Sequence, residues 1–155
     1  MKRLAWAILP LTLLAQPEKY PPAQEFPKFL FYTLDGKSFT DKDLPKPERG
    51  IIVVFFDPHC DHCQKQASFF QKESASLKGI QLMWVSTEAV EALQNFREKY
   101  LKGVPSTYVL RDKDFKFDHF FGYSVAPTIY VYDARGKLKK VLREEAPVAT
   151  ILQYL

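Results

Sequence analysis

The sequence predicts one α/β domain in which helices flank a mixed central sheet. Apolar runs at residues 51–56 and 80–85 indicate buried strands, and each run is followed by apolar residues at helical spacing. Strands that alternate with helices in this way pair in parallel through right-handed crossovers. Closer to the C-terminus, two strand-like stretches flank the turn at residues 133–136 and predict an antiparallel hairpin.

Length, composition and charge agree with this architecture. The chain has 155 residues, of which 46% are hydrophobic and 26% are charged, as in a single globular domain. Its formal net charge of +4 is modest, and no basic stripe carries interleaved aromatic residues. We therefore expect no nucleic-acid partner.

The first 15 residues have the pattern of a secretory signal peptide. Lys2 and Arg3 precede an apolar stretch at residues 4–14, and Ala15 offers a small residue for cleavage. This stretch is shorter than the roughly 20 residues that cross a bilayer. We expect a periplasmic or otherwise extracytoplasmic protein, soluble after cleavage, or weakly anchored at its N-terminus if the leader stays attached.

A proline-rich lead and a short β-hairpin are expected before the central strand. Residues 16–27 are predicted to be extended and poorly packed. The folded domain is expected to occupy residues 28–155. It opens with strands at residues 28–33 and 37–40, joined at the Asp35-Gly36 turn.

Local signals place the remaining elements. Gly79 is expected to end the first helix, and Ser86 or Thr87 to cap the second. The predicted order is strand 51–56, helix 60–78, strand 80–85, a helix containing residues 90–101, strand 106–110, one or two helical turns within 114–121, strand 128–132, strand 137–143 and helix 147–155.

The only two cysteines form one motif, Cys60-Asp61-His62-Cys63, at the junction of the central strand and the first helix. A helix N-terminus stabilises a thiolate, so a reactive thiol pair suits this junction. A structural disulfide stabilises a protein by closing a long loop of the unfolded chain. Two cysteines separated by only two residues would close a very short loop and gain little stability. The motif therefore indicates redox chemistry or metal binding.

The order of elements and the motif together resemble the thioredoxin fold, and more narrowly the secreted thioredoxin-like proteins related to TlpA and ResA. The resemblance covers residues 29–155. It depends on the strand–Cys-x-x-Cys–helix unit, on the Ala126-Pro127-Thr128 step before a strand, and on the final hairpin with its helix. It implies a thioredoxin-like three-layer fold with the N-terminal hairpin as an extension. It also implies a cis Pro127 that faces the two cysteines and, with Ala126, binds substrate.

Three positions depart from the family pattern. Val54 stands where cytoplasmic thioredoxins carry a buried Asp, His59 where TlpA-like proteins often carry Trp, and Gln66 where ResA-like proteins carry Glu. The carboxylate that usually handles the proton of the second thiol is therefore missing from the sequence at Val54 and at Gln66. We expect that proton to move to water, to a histidine or to another group.

The resemblance implies thiol–disulfide exchange through a redox-active disulfide, Cys60–Cys63, with no other cofactor. Cys60 is expected to be the exposed, attacking thiol and Cys63 the buried, resolving one. A hydrogen-bond donor at His62 or His59 stabilises the Cys60 thiolate and makes the pair more oxidising, whereas the charge of Asp61 acts in the opposite sense. The expected partners are protein thiols or disulfides and a membrane redox protein, and the chain is expected to be a monomer.

The alternative is a protein that binds or delivers copper or zinc on the same fold, since thiolates and imidazoles suit Cu(I) and Zn(II). The candidate ligands are His59, Cys60, His62, Cys63 and His119. Thioredoxin-fold copper chaperones space their cysteines by three residues rather than two, which weakens this alternative. A peroxidase of the peroxiredoxin type is also disfavoured, because such sites carry Thr where this chain has Asp57.

Overall fold

The structure of the protein, a computed structural model, describes residues 19–155. The expected leader at residues 1–15 and the first residues of the proline-rich lead lie outside this range. Within the described range, no helix has the length and apolar character needed to cross a bilayer.

A seven-stranded mixed sheet forms the centre of the domain, in the order β2-β1-β5-β4-β3-β6-β7. The strands are β1 Leu30–Tyr32, β2 Ser38–Thr40, β3 Gly50–Phe55, β4 Ile80–Ser86, β5 Thr107–Arg111, β6 Thr128–Asp133 and β7 Leu138–Leu142. β3 pairs in parallel with β4, and β4 with β5, whereas β6 is antiparallel to both β3 and β7. The predicted mixed sheet and C-terminal hairpin are confirmed. The N-terminal hairpin of β1 and β2 extends the sheet beyond β5.

Both faces of the sheet are covered, which gives the three layers that were expected. The helices are α1 Asp61–Lys72, α2 Val90–Tyr100, α3 Phe117–Phe121 and α4 Val148–Leu152. Side chains of β3 alternate between two apolar clusters, because successive residues of a strand point to opposite faces. Ile52 and Val54 pack with buried residues of α1, α2 and α4, whereas Ile51 and Val53 share a cluster with Phe117 of α3.

The first helix is shorter than the sequence predicts. α1 ends at Lys72, and Glu73 leaves the helical conformation with φ −110° and ψ 29°. A 3-10 turn at Ser74–Leu77 then leads to Gly79. The Arg49 guanidinium donates to the Ser76 carbonyl at 2.8 Å, so a contact from outside the helix holds the turn that follows the break.

The ends of two other helices also differ from the prediction. α2 begins after Ala89 rather than after Ser86 or Thr87. Ser86 is still paired with Arg111 in the sheet, so it lies too early to cap a helix that starts at Val90. The last helix is confined to Val148–Leu152 instead of residues 147–155.

The second half of the proline-rich lead packs onto the domain, and the expectation of poor packing was wrong for these residues. The Ala23 N–H donates to the Phe121 carbonyl at 3.0 Å, and the Phe26 N–H donates to the Gly136 carbonyl at 2.7 Å. The Phe26 ring also meets the rings of Phe121 and Tyr132 edge-on. Aromatic contacts and backbone hydrogen bonds therefore order a segment that its prolines alone would leave extended.

We predict that Gly122→Ala destabilises the protein more than Gly103→Ala. Both glycines have positive φ, +110° and +82°. A Cβ at Gly122 would lie 2.7 Å from the Pro22 Cα, whereas a Cβ at Gly103 meets nothing within 4 Å. Overpacking typically costs about 1–3 kcal/mol, so we expect an additional loss of that size in the free energy of unfolding. Urea unfolding measures both variants, and equal losses would contradict close packing of the lead on Gly122.

Candidate active site

The cysteine motif lies where β3 ends and α1 begins, as predicted, and a short turn built by Asp57 connects the two. The Asp57 carboxylate accepts a hydrogen bond from the His59 N–H at 2.8 Å, and its carbonyl accepts one from the Cys60 N–H at 3.1 Å. The Pro58 carbonyl accepts a bond from the Gln64 side chain at 2.9 Å. These bonds fix Cys60 as the residue that precedes the first turn of α1.

The two cysteines occupy different environments, and both are thiols in this structure. Cys60 is partly exposed at the N-terminus of the helix, where a negative charge is favoured. Cys63 lies one turn further on and is completely buried. Burial raises the pKa of Cys63 to about 12, and a backbone hydrogen bond from Asp57 opposes this shift, whereas the neighbouring charges of Cys60 and Asp57 add to it. Cys63 is therefore protonated at neutral pH in the reduced protein.

The Ala126-Pro127 step lies at the same edge of the sheet as the cysteine turn. Thr128, the first residue of β6, pairs with Phe55, the last residue of β3. Ala126 and Cys60 both pack against the apolar cluster beneath α1. The Ala126-Pro127 peptide bond is cis, as the resemblance implied.

Of the three residues expected to tune the redox pair, His62 has a polar partner in the structure, whereas His59 and Asp61 have none within residues 19–155. Both His59 and Asp61 are exposed. The His62 Nδ1 lies 2.9 Å from the carboxylate of Glu145. Glu145 precedes α4, far from the motif in sequence, and no sequence pattern marked it.

Glu145 also interacts with Lys65, whose Nζ lies 3.1 Å from the second carboxylate oxygen. The hydrogen bond from His62, with smaller contributions from its own backbone and from Lys65, lowers the pKa of Glu145 to about 2. Its side chain is 16% exposed. Glu145 is therefore an ionised acceptor beside the redox motif at neutral pH.

Gln66 and Val54 both lie in the interior. Gln66 is completely buried, donates to the Ala146 carbonyl at 3.0 Å and accepts from the Ala146 N–H at 2.7 Å. Both ends of the amide are thus used to hold the chain before α4. Val54 packs in the core, so neither position offers a proton acceptor for Cys63.

The candidate metal ligands are not gathered into one site. Within residues 19–155, no group of three or more His, Cys, Asp or Glu side chains is arranged to hold a metal ion. His119 lies in α3, where its Nε2 is 3.4 Å from the Tyr20 hydroxyl. His62 is already bonded to Glu145.

A sheet that carries a partly exposed and a buried cysteine at one strand–helix junction, beside a cis-proline loop, defines a thioredoxin-like thiol–disulfide oxidoreductase. Residues 22–141 match the AhpC/TSA family, and the chain belongs to this family.

Solved structures agree with this assignment. DsbF of Mycobacterium tuberculosis, determined in mixed oxidised and reduced forms, is 27% identical with a TM-score of 0.68, over 86% of this chain and 95% of DsbF. A secreted M. tuberculosis disulfide oxidoreductase homologous to Escherichia coli DsbE is 21% identical with a TM-score of 0.67, over 82% and 96% of the two chains. A thioredoxin-like protein from Aeropyrum pernix is 16% identical with a TM-score of 0.66, over 81% and 86%. The thioredoxin-like fold is confirmed.

We predict that Asp57→Asn lowers the pKa of Cys63, because it removes a negative charge that disfavours the thiolate. The amide side chain retains an oxygen that accepts the His59 N–H, so the turn is kept. Asp57→Ala removes the charge and the acceptor, and we expect it to cost in addition about 1 kcal/mol of unfolding free energy. Thiolate absorbance against pH, with Cys60 replaced by Ser in every protein, measures the shift. Superimposable titrations with and without the Asp57→Asn change would contradict the role of this charge.

Proposed function

We propose that this protein is an extracytoplasmic thiol–disulfide oxidoreductase in which Cys60 and Cys63 alternate between a dithiol and a disulfide. The observation that carries the proposal is the asymmetry of the pair: one thiol is accessible at a helix start, and the other is completely buried one turn away. Exchange with a large substrate needs one accessible and one protected thiol. The accessible sulphur forms the mixed disulfide with the partner, and the protected sulphur reacts only after that intermediate has formed. The position of Ala126 and Pro127 at the same edge of the sheet supports a substrate-binding role for them.

In the reductive direction, the Cys60 thiolate attacks one sulphur of a substrate disulfide. A mixed disulfide forms, and the other substrate sulphur leaves with the electron pair and takes up a proton. Cys63 then loses its proton and attacks Cys60, which releases the second substrate sulphur as a thiol and leaves the Cys60–Cys63 disulfide. Two electrons pass to the substrate, and the oxidative direction is the reverse of these steps.

His59, Asp61 and His62 tune the potential of the pair in this proposal. The imidazoles supply donors that favour the Cys60 thiolate and the reduced form, and the carboxylate of Asp61 favours the oxidised form. Donors and an opposing charge lie in the same short motif. The expected potential is therefore between that of a strong reductant and that of a strong oxidant.

The leader pattern at residues 1–15 supports a location outside the cytoplasm, as does the likeness to a protein described as secreted. The proposed substrates are protein thiols or disulfides. A membrane redox protein is proposed to restore the pair after each turnover, and the chain is proposed to act as a monomer.

We predict that Cys63→Ser accumulates a mixed disulfide with substrate, because the thiol that resolves the intermediate is missing. Cys60→Ser is the matched control and should form none, since the remaining thiol is completely buried. Non-reducing electrophoresis and mass spectrometry after incubation with a disulfide-containing protein measure the adduct. Adducts through Cys63 in the control would reverse the assigned roles.

We predict that His62→Pro lowers the reduction potential, because it removes a donor that stabilises the reduced form. Equilibration with glutathione buffers gives the potential of both proteins. A wild-type value near about −270 mV would mark a reductase, and one near about −120 mV an oxidant. An unchanged potential in the variant would remove His62 from the tuning of the pair.

A further inference from the structure

The segment at residues 143–146, between β7 and α4, contacts both halves of the candidate site, and we call it the clasp segment. On one side, the Arg143 guanidinium donates to the Tyr123 carbonyl at 2.8 Å and lies over the Tyr123 ring. Tyr123 belongs to the loop that leads to Ala126 and Pro127. On the other side, Glu145 and Ala146 contact α1.

Three residues of α1 contact the clasp segment. Lys65 and Gln66 lie three and four residues after His62, so the three residues share one side of the helix. Lys65 and His62 each bind one oxygen of the Glu145 carboxylate. Gln66, completely buried, fixes the backbone of the next residue, Ala146, through both its donor and its acceptor. The position of Glu145 is therefore set from inside the protein, although it acts on a side chain at the surface.

This contact decides which nitrogen of His62 carries a proton. An ionised carboxylate only accepts hydrogen bonds, and Glu145 is ionised at neutral pH. The Nδ1 at 2.9 Å must therefore carry its hydrogen toward Glu145. Nε2 is left as the nitrogen that is open to another group, two residues from Cys60.

We propose that Glu145 is a positioning residue of the redox site, which holds the His62 ring through Nδ1–H and leaves Nε2 to serve the sulphur chemistry at Cys60. Nε2 of the ring that carries its hydrogen at Nδ1 accepts the proton of the Cys60 thiol and passes it to the thiolate that leaves the substrate. A carboxylate that orients a histidine beside a reacting group is a recurring arrangement. The proposal rests on the proposed function, since it assigns Glu145 a part in that exchange.

The role is one of orientation rather than stability. His62 is 67% exposed, and ion pairs of exposed side chains contribute little to folding. A charge-assisted hydrogen bond to a carboxylate with only 16% exposure still restricts the rotation of the ring. Its effect should therefore appear in the rate of exchange and only weakly in unfolding.

The test compares Glu145→Ala with the matched control Glu144→Ala. Glu144→Ala removes a carboxylate one residue away, at an exposed side chain that has no hydrogen bond or ion pair within residues 19–155. Alanine is used because glutamine at position 145 would keep an oxygen that accepts the His62 Nδ1–H. We expect Glu145→Ala to slow the reduction of oxidised glutathione by about 3- to 30-fold, which is within the range that the coupling of contacting residues spans. The Glu144→Ala control should stay close to wild type.

A double-mutant cycle with His62→Asn shows whether Glu145 acts through the imidazole. Glu145→Ala should have almost no further effect in the His62→Asn background, because the imidazole that Glu145 holds is no longer present. A full effect in that background, no effect in the wild-type background, or an equal effect of Glu144→Ala would overturn the proposal.

Nitrogen NMR of the wild-type protein provides a readout that does not depend on the folding of any variant. In the neutral form of the His62 ring, Nδ1 should carry the proton. A neutral wild-type ring that carries its proton at Nε2 would overturn the proposal. A wild-type protein without exchange activity would instead refute the proposed function, and the tautomer would still report on the contact between Glu145 and His62.

Discussion

The site depends on the pairing of β3 with strands on both of its sides. β4 runs parallel to β3, and β6 runs antiparallel to it over the full length of the strand. The antiparallel partner brings the start of β6 to the end of β3, so the loop with Pro127 and the turn with Cys60 emerge at one edge. The side chains of β3 are buried on both faces of the sheet. The strand ends from which the two loops emerge are therefore anchored in one packed core.

Polar contacts then fix the conformation of the loops that the sheet brings together. Asp57 shapes the turn before Cys60, Gln66 fixes Ala146 to α1, and Arg143 holds the carbonyl of Tyr123. The resemblance to cytoplasmic thioredoxins and to ResA-like proteins implies a carboxylate inside the domain, whereas Val54 and Gln66 leave none at those two positions. The carboxylate next to the motif is instead that of Glu145, which contacts His62 at the protein surface.

Much of this arrangement could be predicted from the sequence, because local patterns encode it. The apolar run at residues 51–56, the cysteine spacing and the Ala126-Pro127-Thr128 step each fall on the element that was predicted. The break of α1 at Glu73 and the late start of α2 were missed, since helix ends depend on tertiary contacts more than on propensity. Glu145 was missed for a different reason. Its pairing with His62 joins residues far apart in the chain, and only the docking of the clasp segment on α1 brings them together.

In the proposed exchange, the burial of Cys63 sets the order in which the two thiols react. Because burial raises the pKa of Cys63 to about 12, almost no reduced molecule carries a Cys63 thiolate at pH 7. The Cys63 sulphur is therefore unreactive until a partner has bound, and burial protects it from oxidants in solution. Cys60 itself contributes to this low reactivity, because its negative charge and its hydrogen bond both raise the pKa of Cys63. Once Cys60 is bonded to a partner, that charge is gone. Formation of the first bond thus releases a restraint on the second thiol, and the resolving step becomes easier only after a substrate has been captured.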